Sequence, residues 1–517
     1  MTTNGTSNMT ELETFLPADG SNGTSAAKYK IAPKSPTSLE NGHADKTSWD
    51  PFRERRVEHP TTDCDTLTHL LKASLGTGIL AMPFAYKNAG MSLGIVFTVF
   101  TSLICTHGAY VLVQCAHELY RRIRVTSMSF ADVGEVSFAN GPPWARPYSK
   151  LCRITIIAGL FAAYFGTCSV YTVIISENFK QVAEHYLGYA VNQRLCILSL
   201  LIPLILLSWI PNLKYLAPVS MVANVFMGLG LGFTFYYLVW DLGSPWELPQ
   251  VGNLYELPQF FSITIFAMEA IGVVMPLENS MDTPQHFIGI CGVLNKGMGG
   301  VTLIYIFLGF LGYLQYQDRT DASITLNLPT EEYLAQSVKI LVGLAVFCTY
   351  GLQYFVCLEI VWDAVKGKWK VNQTVLEYIV RSVLTAATVM LAVAVPTIGP
   401  FLALIGAFCF SLLGLILPAL IETVTFWDKG FGRFNWVAWK NVVMFLFGIV
   451  ALVSGTYTSM VDIFKTYGLG EEVIQLNTIG EVVHNVTHGN ASAADISAAI
   501  LHAATNLTQT LLEKAGT

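Results

Sequence analysis

The chain has 517 residues, 53% of them hydrophobic and only 13% charged. A soluble domain carries about 25% charged residues because it needs a wet surface, so this composition, with a mean hydropathy of +0.49, excludes an ordinary soluble protein. The net charge of −6 at pH 7 comes without any basic run, so there is no electrostatic basis for a nucleic-acid partner.

Residues 1–60 are rich in Asn, Thr, Ser, Gly, Lys and Glu and poor in large apolar side chains. Such a segment buries too little surface to offset its ordering entropy and reads as a disordered cytosolic tail. It has no charged n-region ahead of an apolar h-region, so it does not read as a signal peptide. Residues 61–465 read as the transmembrane domain and 466–517 as a polar C-terminal tail. A bilayer span takes about 20 apolar residues. Eleven helices satisfy this near 66–86, 93–117, 152–176, 195–211, 215–240, 258–278, 288–314, 336–362, 375–395, 398–424 and 440–463. The sequence Ile210-Pro211-Asn212-Leu213-Lys214 splits one long apolar run into the fourth and fifth spans.

Lys and Arg set the orientation. Arg121, Arg122, Arg124, Arg146 and Lys150 follow the second span, Lys214 the fourth, Lys366, Lys368 and Lys370 the eighth, and Lys429, Arg433 and Lys440 the tenth. The alternate loops are poor in cations. This predicts a cytosolic N-terminus and an extracellular or lumenal C-terminus. The sequons at Asn485, Asn490 and Asn506 fall on the predicted outer side, where they can carry glycans. The ten cysteines all fall in spans or on the cytosolic side, so no structural disulfide is predicted.

The first span holds His69 near its start, Ser74-Leu75-Gly76-Thr77-Gly78 at its middle and Pro83 after that. Gly and Pro weaken a helix, and non-helical backbone at membrane depth survives only inside protein or beside a wet cavity. A break here exposes N–H groups that suit a carboxylate; close helix packing through glycine is the alternative reading. The sixth span repeats the pattern as Phe266-Ala267-Met268-Glu269-Ala270-Ile271-Gly272, followed by Met275-Pro276. The two spans are five apart and so antiparallel, as an inverted five-plus-five repeat with its site at the repeat interface requires. Glu269 inside a span costs about 2.5–3.5 kcal/mol on insertion scales; it serves a cavity or an interhelical hydrogen bond. His69 lies two turns before Gly76, which puts both on one helix face, and is the candidate proton carrier, since histidine changes charge near neutral pH; a structural histidine is the alternative.

At these residues the chain resembles the proton-coupled amino acid transporter family, within the amino acid/auxin permease superfamily. The resemblance rests on His69-Leu70-Leu71-Lys72, Gly76-Thr77-Gly78-Ile79-Leu80-Ala81-Met82-Pro83 and Lys87-Asn88-Ala89-Gly90. It continues through Pro276-Leu277-Glu278-Asn279, Gly312-Tyr313-Leu314-Gln315 and Ser323-Ile324-Thr325-Leu326-Asn327-Leu328-Pro329, in that order. It implies eleven helices in a LeuT-like inverted repeat plus one, and symport of protons with small neutral amino acids such as glycine, alanine and proline. It also implies His69 as the proton-coupling residue and a plasma-membrane or endosomal and lysosomal location. The substrate would be bound by Ser74, Gly76, Thr77, Gly78, Phe266, Glu269 and Gly272.

The chain departs from mammalian-type members at Lys72-Ala73-Ser74, where they read Lys-Gly-Asn, and it lacks their paired outer-loop cysteines. Its C-terminal tail is also longer. No cofactor beyond the coupling proton is implied. A low-flux amino acid sensor, with a signalling partner on the N-terminal tail, is the alternative function. No intramembrane Asp pair, His-Glu-x-x-His or Gly-x-Ser-x-Gly speaks for an enzyme.

Overall fold

Where a chain meets lipid, its backbone polar groups have no water to turn to and must pair within the segment; this chain meets that demand with helix. The computed structural model describes residues 49–467, apart from 58, 59, 212, 241, 242, 269, 367 and 369–371. Among the described residues there is no β-strand, and one isolated bridge pairs Thr61 with Met281. A short helix α1 (Pro51–Glu54) precedes α2 (Asp63–Ser74) and α3 (Gly78–Ala89), which together make the first span. Next come α4 (Met91–Ile123), α5 (Phe130–Ala139) and α6 (Ser149–Leu187). The fourth span is α7 (Gln193–Ser199) with α8 (Leu201–Ser208), and the fifth is α9 (Leu213–Val239). The sixth is again in two pieces, α10 (Leu257–Ala267) and α11 (Ile271–Ser280). The chain continues through α12 (Val293–Tyr316), α13 (Tyr333–Val365), α14 (Gln373–Ala394), α15 (Ile398–Ile405), α16 (Leu417–Thr425) and α17 (Trp436–Thr466).

Each of the eleven expected spans is therefore helical, but they are not equivalent. Nine stretches among the described residues are long and apolar enough to cross a membrane, while 193–208 is shorter and the first span is cut in two. The polarity is that of a lipid-facing protein. Leu103, Ile154, Ile202, Phe307, Val383 and Val443 are mostly exposed, whereas Thr98, Thr172, Thr264 and Thr388 are fully buried.

The breaker at Ile210-Pro211 has a structural partner. The end carbonyls of α8 and its loop accept from Arg381 of α14: Nη1 donates to Ser208 O at 2.7 Å and Ile210 O at 3.0 Å, and Nη2 to Pro211 O at 3.2 Å. Groups orphaned by a helix end are thus satisfied without water. Two features differ from the sequence reading. The loop after the second span contains α5, started by a reciprocal cap between Ser129 and Asp132. Its acids are held from below by Arg153, with Nη1 at 2.5 Å from Asp132 and 3.0 Å from Glu135. Within the segment read as tail, Pro51–Glu54 also form helix α1, and Phe52 packs edge-on to His117 at 4.9 Å.

The chain falls into two units, residues 1–456 and 457–517; of the second, the described residues are the last turns of α17. Helices α3 and α10 approach closely enough that a Cβ on Gly78 would lie 2.6 Å from Ala267 Cα, while a Cβ on Gly228 of α9 would meet nothing. Gly78→Ala is expected to lower unfolding free energy by about 1–3 kcal/mol through overpacking. Gly228→Ala is expected to be neutral or stabilising by up to about 1 kcal/mol. Equilibrium unfolding of the two purified variants checks this contrast.

Candidate functional site: two interrupted helices

The first interruption begins where Leu75 (φ −80°, ψ 52°) leaves helical conformation after Ser74. Gly76 and Thr77 fill the gap, and α3 restarts at Gly78. The second opens after Ala267 and closes at Ala270 (φ −127°, ψ −7°), just before Ile271. Pro83 and Pro276 sit inside the restarted halves, where each removes one more backbone donor from the ladder.

Tyr305 of α12 joins the two breaks. Its hydroxyl reaches Ser74 O at 2.5 Å and Ala267 O at 3.0 Å, the last carbonyls of α2 and α10. Helix dipoles leave partial negative charge at such ends. On the other side, the N–H groups of Thr77 and Gly78 open α3, and the first amides of a helix have no acceptor within it. Thr77 does not cap its own helix. Its Oγ1 is buried without a hydrogen bond of normal geometry, as is Oγ1 of Thr264, one turn before the end of α10. The region therefore offers amide donors and two hydroxyls in an apolar setting, which suits a carboxylate.

The space is shut. A cavity of about 10 Å³ lies beside the sixth-span break, bounded by Met268, Ala270, Ile271, Met298 and Cys105. That is room for about one water.

The residues singled out in the sequence are only partly brought together. Ser74 ends α2, buried, with Oγ donating to Met298 Sδ at 3.8 Å. Gly76 lies beside Tyr171 of α6, whose hydroxyl would be 3.6 Å from a Cβ there. Thr77 and Gly78 form the restart. Phe266 packs on Phe410 at 5.7 Å, and the Tyr164 hydroxyl fills the space that a Cβ on Gly272 would need. Glu269 lies outside the described residues.

His69 is half-buried on α2, one turn after Asp65, with which it interacts electrostatically. Its two-turn spacing to Gly76 does not put both on one face, because the helix ends at Ser74 in between. Sequence reasoning did not single out Tyr305 or Thr264. It also did not foresee the π-helical stretches Gly406–Phe410 and Leu412–Ile416 that link α15 to α16. There Gly406 sits against Ser262 O with no room for a Cβ.

Residues 59–461 match the family described as transmembrane amino acid transporter protein. The chain belongs to this family. The transporter is 59% identical over 463 residues to a Drosophila melanogaster protein named "Proton-coupled amino acid transporter-like protein pathetic", covering 90% of this chain and 97% of that one. It is 23% identical over 430 residues to a Caenorhabditis elegans protein named "Probable amino acid transporter skat-1", covering 81% and 93%. A crystal structure of MhsT in complex with L-phenylalanine aligns at 13% identity and a TM-score of 0.44, over 80% of this chain and all of that one. The family and these relatives are transporters, not enzymes.

The transporter also carries a clasp at the end of α11. Glu278 is fully buried and Arg55 nearly so. Arg55 Nη2 donates to Glu278 Oε1 at 3.1 Å, Nη1 to Glu278 O at 3.0 Å, and Nε to Thr126 O at 2.7 Å. His117 Nε2 lies 2.9 Å from Glu278 Oε1, and Tyr120 Oη donates to Oε2 at 3.0 Å. Thr61 N donates to Ser280 O at 2.8 Å and Asp282 N to Thr61 O at 3.0 Å. The signal was visible as Glu278 at the end of an apolar span, but its partner lay in the presumed tail. Glu278→Ala and Arg55→Ala should each cost roughly 3–5 kcal/mol by stranding a buried charge. The double variant should cost less than their sum, and a double-mutant cycle of unfolding free energies measures the difference.

Proposed function

We propose that this transporter moves small neutral amino acids of the glycine, alanine and proline class together with protons, by alternating access around the paired breaks. The observation that carries the reading is the restart of α3 at Thr77 and Gly78. There the amides of Thr77 and Gly78 begin a helix and Thr77 Oγ1 is buried without a hydrogen bond of normal geometry, beside a second interruption that Tyr305 joins to the first. The substrate carboxylate binds the amides of Thr77 and Gly78. Ser74, Gly76, Phe266 and Gly272 bound the remaining space, and Glu269 is assigned to the substrate from the sequence alone. The close packing of Gly78 on Ala267 and of Gly272 on Tyr164 leaves little room for a side chain, which favours small substrates. Entry requires one half of a broken span to move.

His69 carries the coupling proton, with Asp65 one turn before it on α2. This role extends the printed name of the Drosophila relative to the present chain. The eleven-pass arrangement as an inverted repeat, with a cytosolic N-terminus and an outer C-terminus, belongs to the same proposal. The driving force suffices: one proton crossing about 100 mV releases roughly 2.3 kcal/mol, enough for roughly a 40-fold gradient at about 1.4 kcal/mol per tenfold.

Labelled alanine uptake into proteoliposomes tests the proposal. An acid-outside gradient is expected to raise uptake several-fold, and uptake indifferent to the gradient contradicts proton coupling. His69→Ala is expected to lose at least about 90% of the gradient-driven component while alanine exchange without a gradient persists. A folded His69→Ala protein with full gradient-driven uptake removes His69 from that role.

A further inference from the structure

We propose that the Tyr305 hydroxyl stands where a metal coupling cation would otherwise sit, and that this one side chain closes the site to sodium. The inference rests on the reading of the paired breaks as the transport site. Ser74 O and Ala267 O are the terminal carbonyls of two different half-helices, and both point at one atom. Two such negative ends brought together repel each other unless something positive lies between them. Unwound carbonyls and half-helix C-terminal ends are the groups with which secondary transporters hold a coupling cation. Here the positive element is a single covalently tethered proton, on Tyr305 Oη at 2.5 and 3.0 Å from the two oxygens.

The tyrosine cannot withdraw cheaply, because its side chain is fully buried. One turn before it, α12 is pinned to α4 by the hydrogen bond between Thr302 and Ser102. Removing only the hydroxyl would take this shared donor from both carbonyls. Thr77 Oγ1 and Thr264 Oγ1, which make no normal hydrogen bond, belong to the same two breaks and would add oxygen ligands. Carbonyl and hydroxyl oxygens of this kind suit a hard monovalent cation. Tyr305 would thus be a specificity-determining residue for the coupling ion.

The test reads stability rather than flux. The purified transporter is melted in sodium chloride and in N-methylglucamine chloride at equal ionic strength. The wild-type melting temperature is expected to be the same in both. For Tyr305→Phe, and for Tyr305→Asn, which supplies a carbonyl of its own, sodium is expected to raise the melting temperature by roughly 2 °C or more. A sodium-specific stabilisation of the wild type overturns the proposal, as do folded variants that ignore sodium. Where neither variant is recovered folded, the wild-type comparison decides alone. Because no transport is measured, failure of proton-driven uptake and failure of this proposal are separate results.

Discussion

A helix interrupted in lipid leaves amides and carbonyls that no solvent will satisfy, and the two interruptions in this chain are tolerable because they are placed against each other. Tyr305 supplies one hydroxyl to the closing carbonyls of α2 and α10, which fixes how near the two half-helices stand. Once that distance is set, glycine is required at residue 78, where α3 passes Ala267, and at residue 272, where α11 passes Tyr164. The two closing carbonyls share the Tyr305 hydroxyl, while Thr77 Oγ1 on the restarting side makes no hydrogen bond of normal geometry.

The same pair of spans is fastened a second time at the end rich in Lys and Arg. Arg55 and Thr61 hold the chain ahead of α2 to Glu278, Ser280 and Asp282 at the end of α11. Helix α2, with 12 residues and about 18 Å long, is therefore tied at both ends. It cannot swing away from α11 without separating Arg55 from Glu278. A buried ion pair suits such a latch better than an apolar contact: it is costly to half-break, yet each partner regains water when it opens fully.

Much of this was legible because glycine, proline and charge stand out against an apolar background. Gly76-Thr77-Gly78 and Gly272 marked the two breaks, and the runs between Lys- and Arg-rich loops marked the helices. What stayed hidden depends on long-range contact. Tyr305 is one of 22 tyrosines, and nothing in its neighbours shows that two helix ends converge on its hydroxyl. Arg55 lies in a polar stretch whose composition reads as tail, although Phe52 and Arg55 anchor it. Helix α5 was missed because its 10 residues are too few to read as a span. The shared face expected of His69 and Gly76 assumed an unbroken helix, which the same glycines argue against.

The central claim is that the loose backbone at Thr77 and Gly78 holds the substrate carboxylate. An experimental structure of the purified transporter with saturating alanine tests it most directly. The account predicts the carboxylate oxygens within about 3 Å of the Thr77 and Gly78 amides, beside an interrupted sixth span. Alanine bound elsewhere, or continuous helix through residues 75–77 and 268–270, would contradict it.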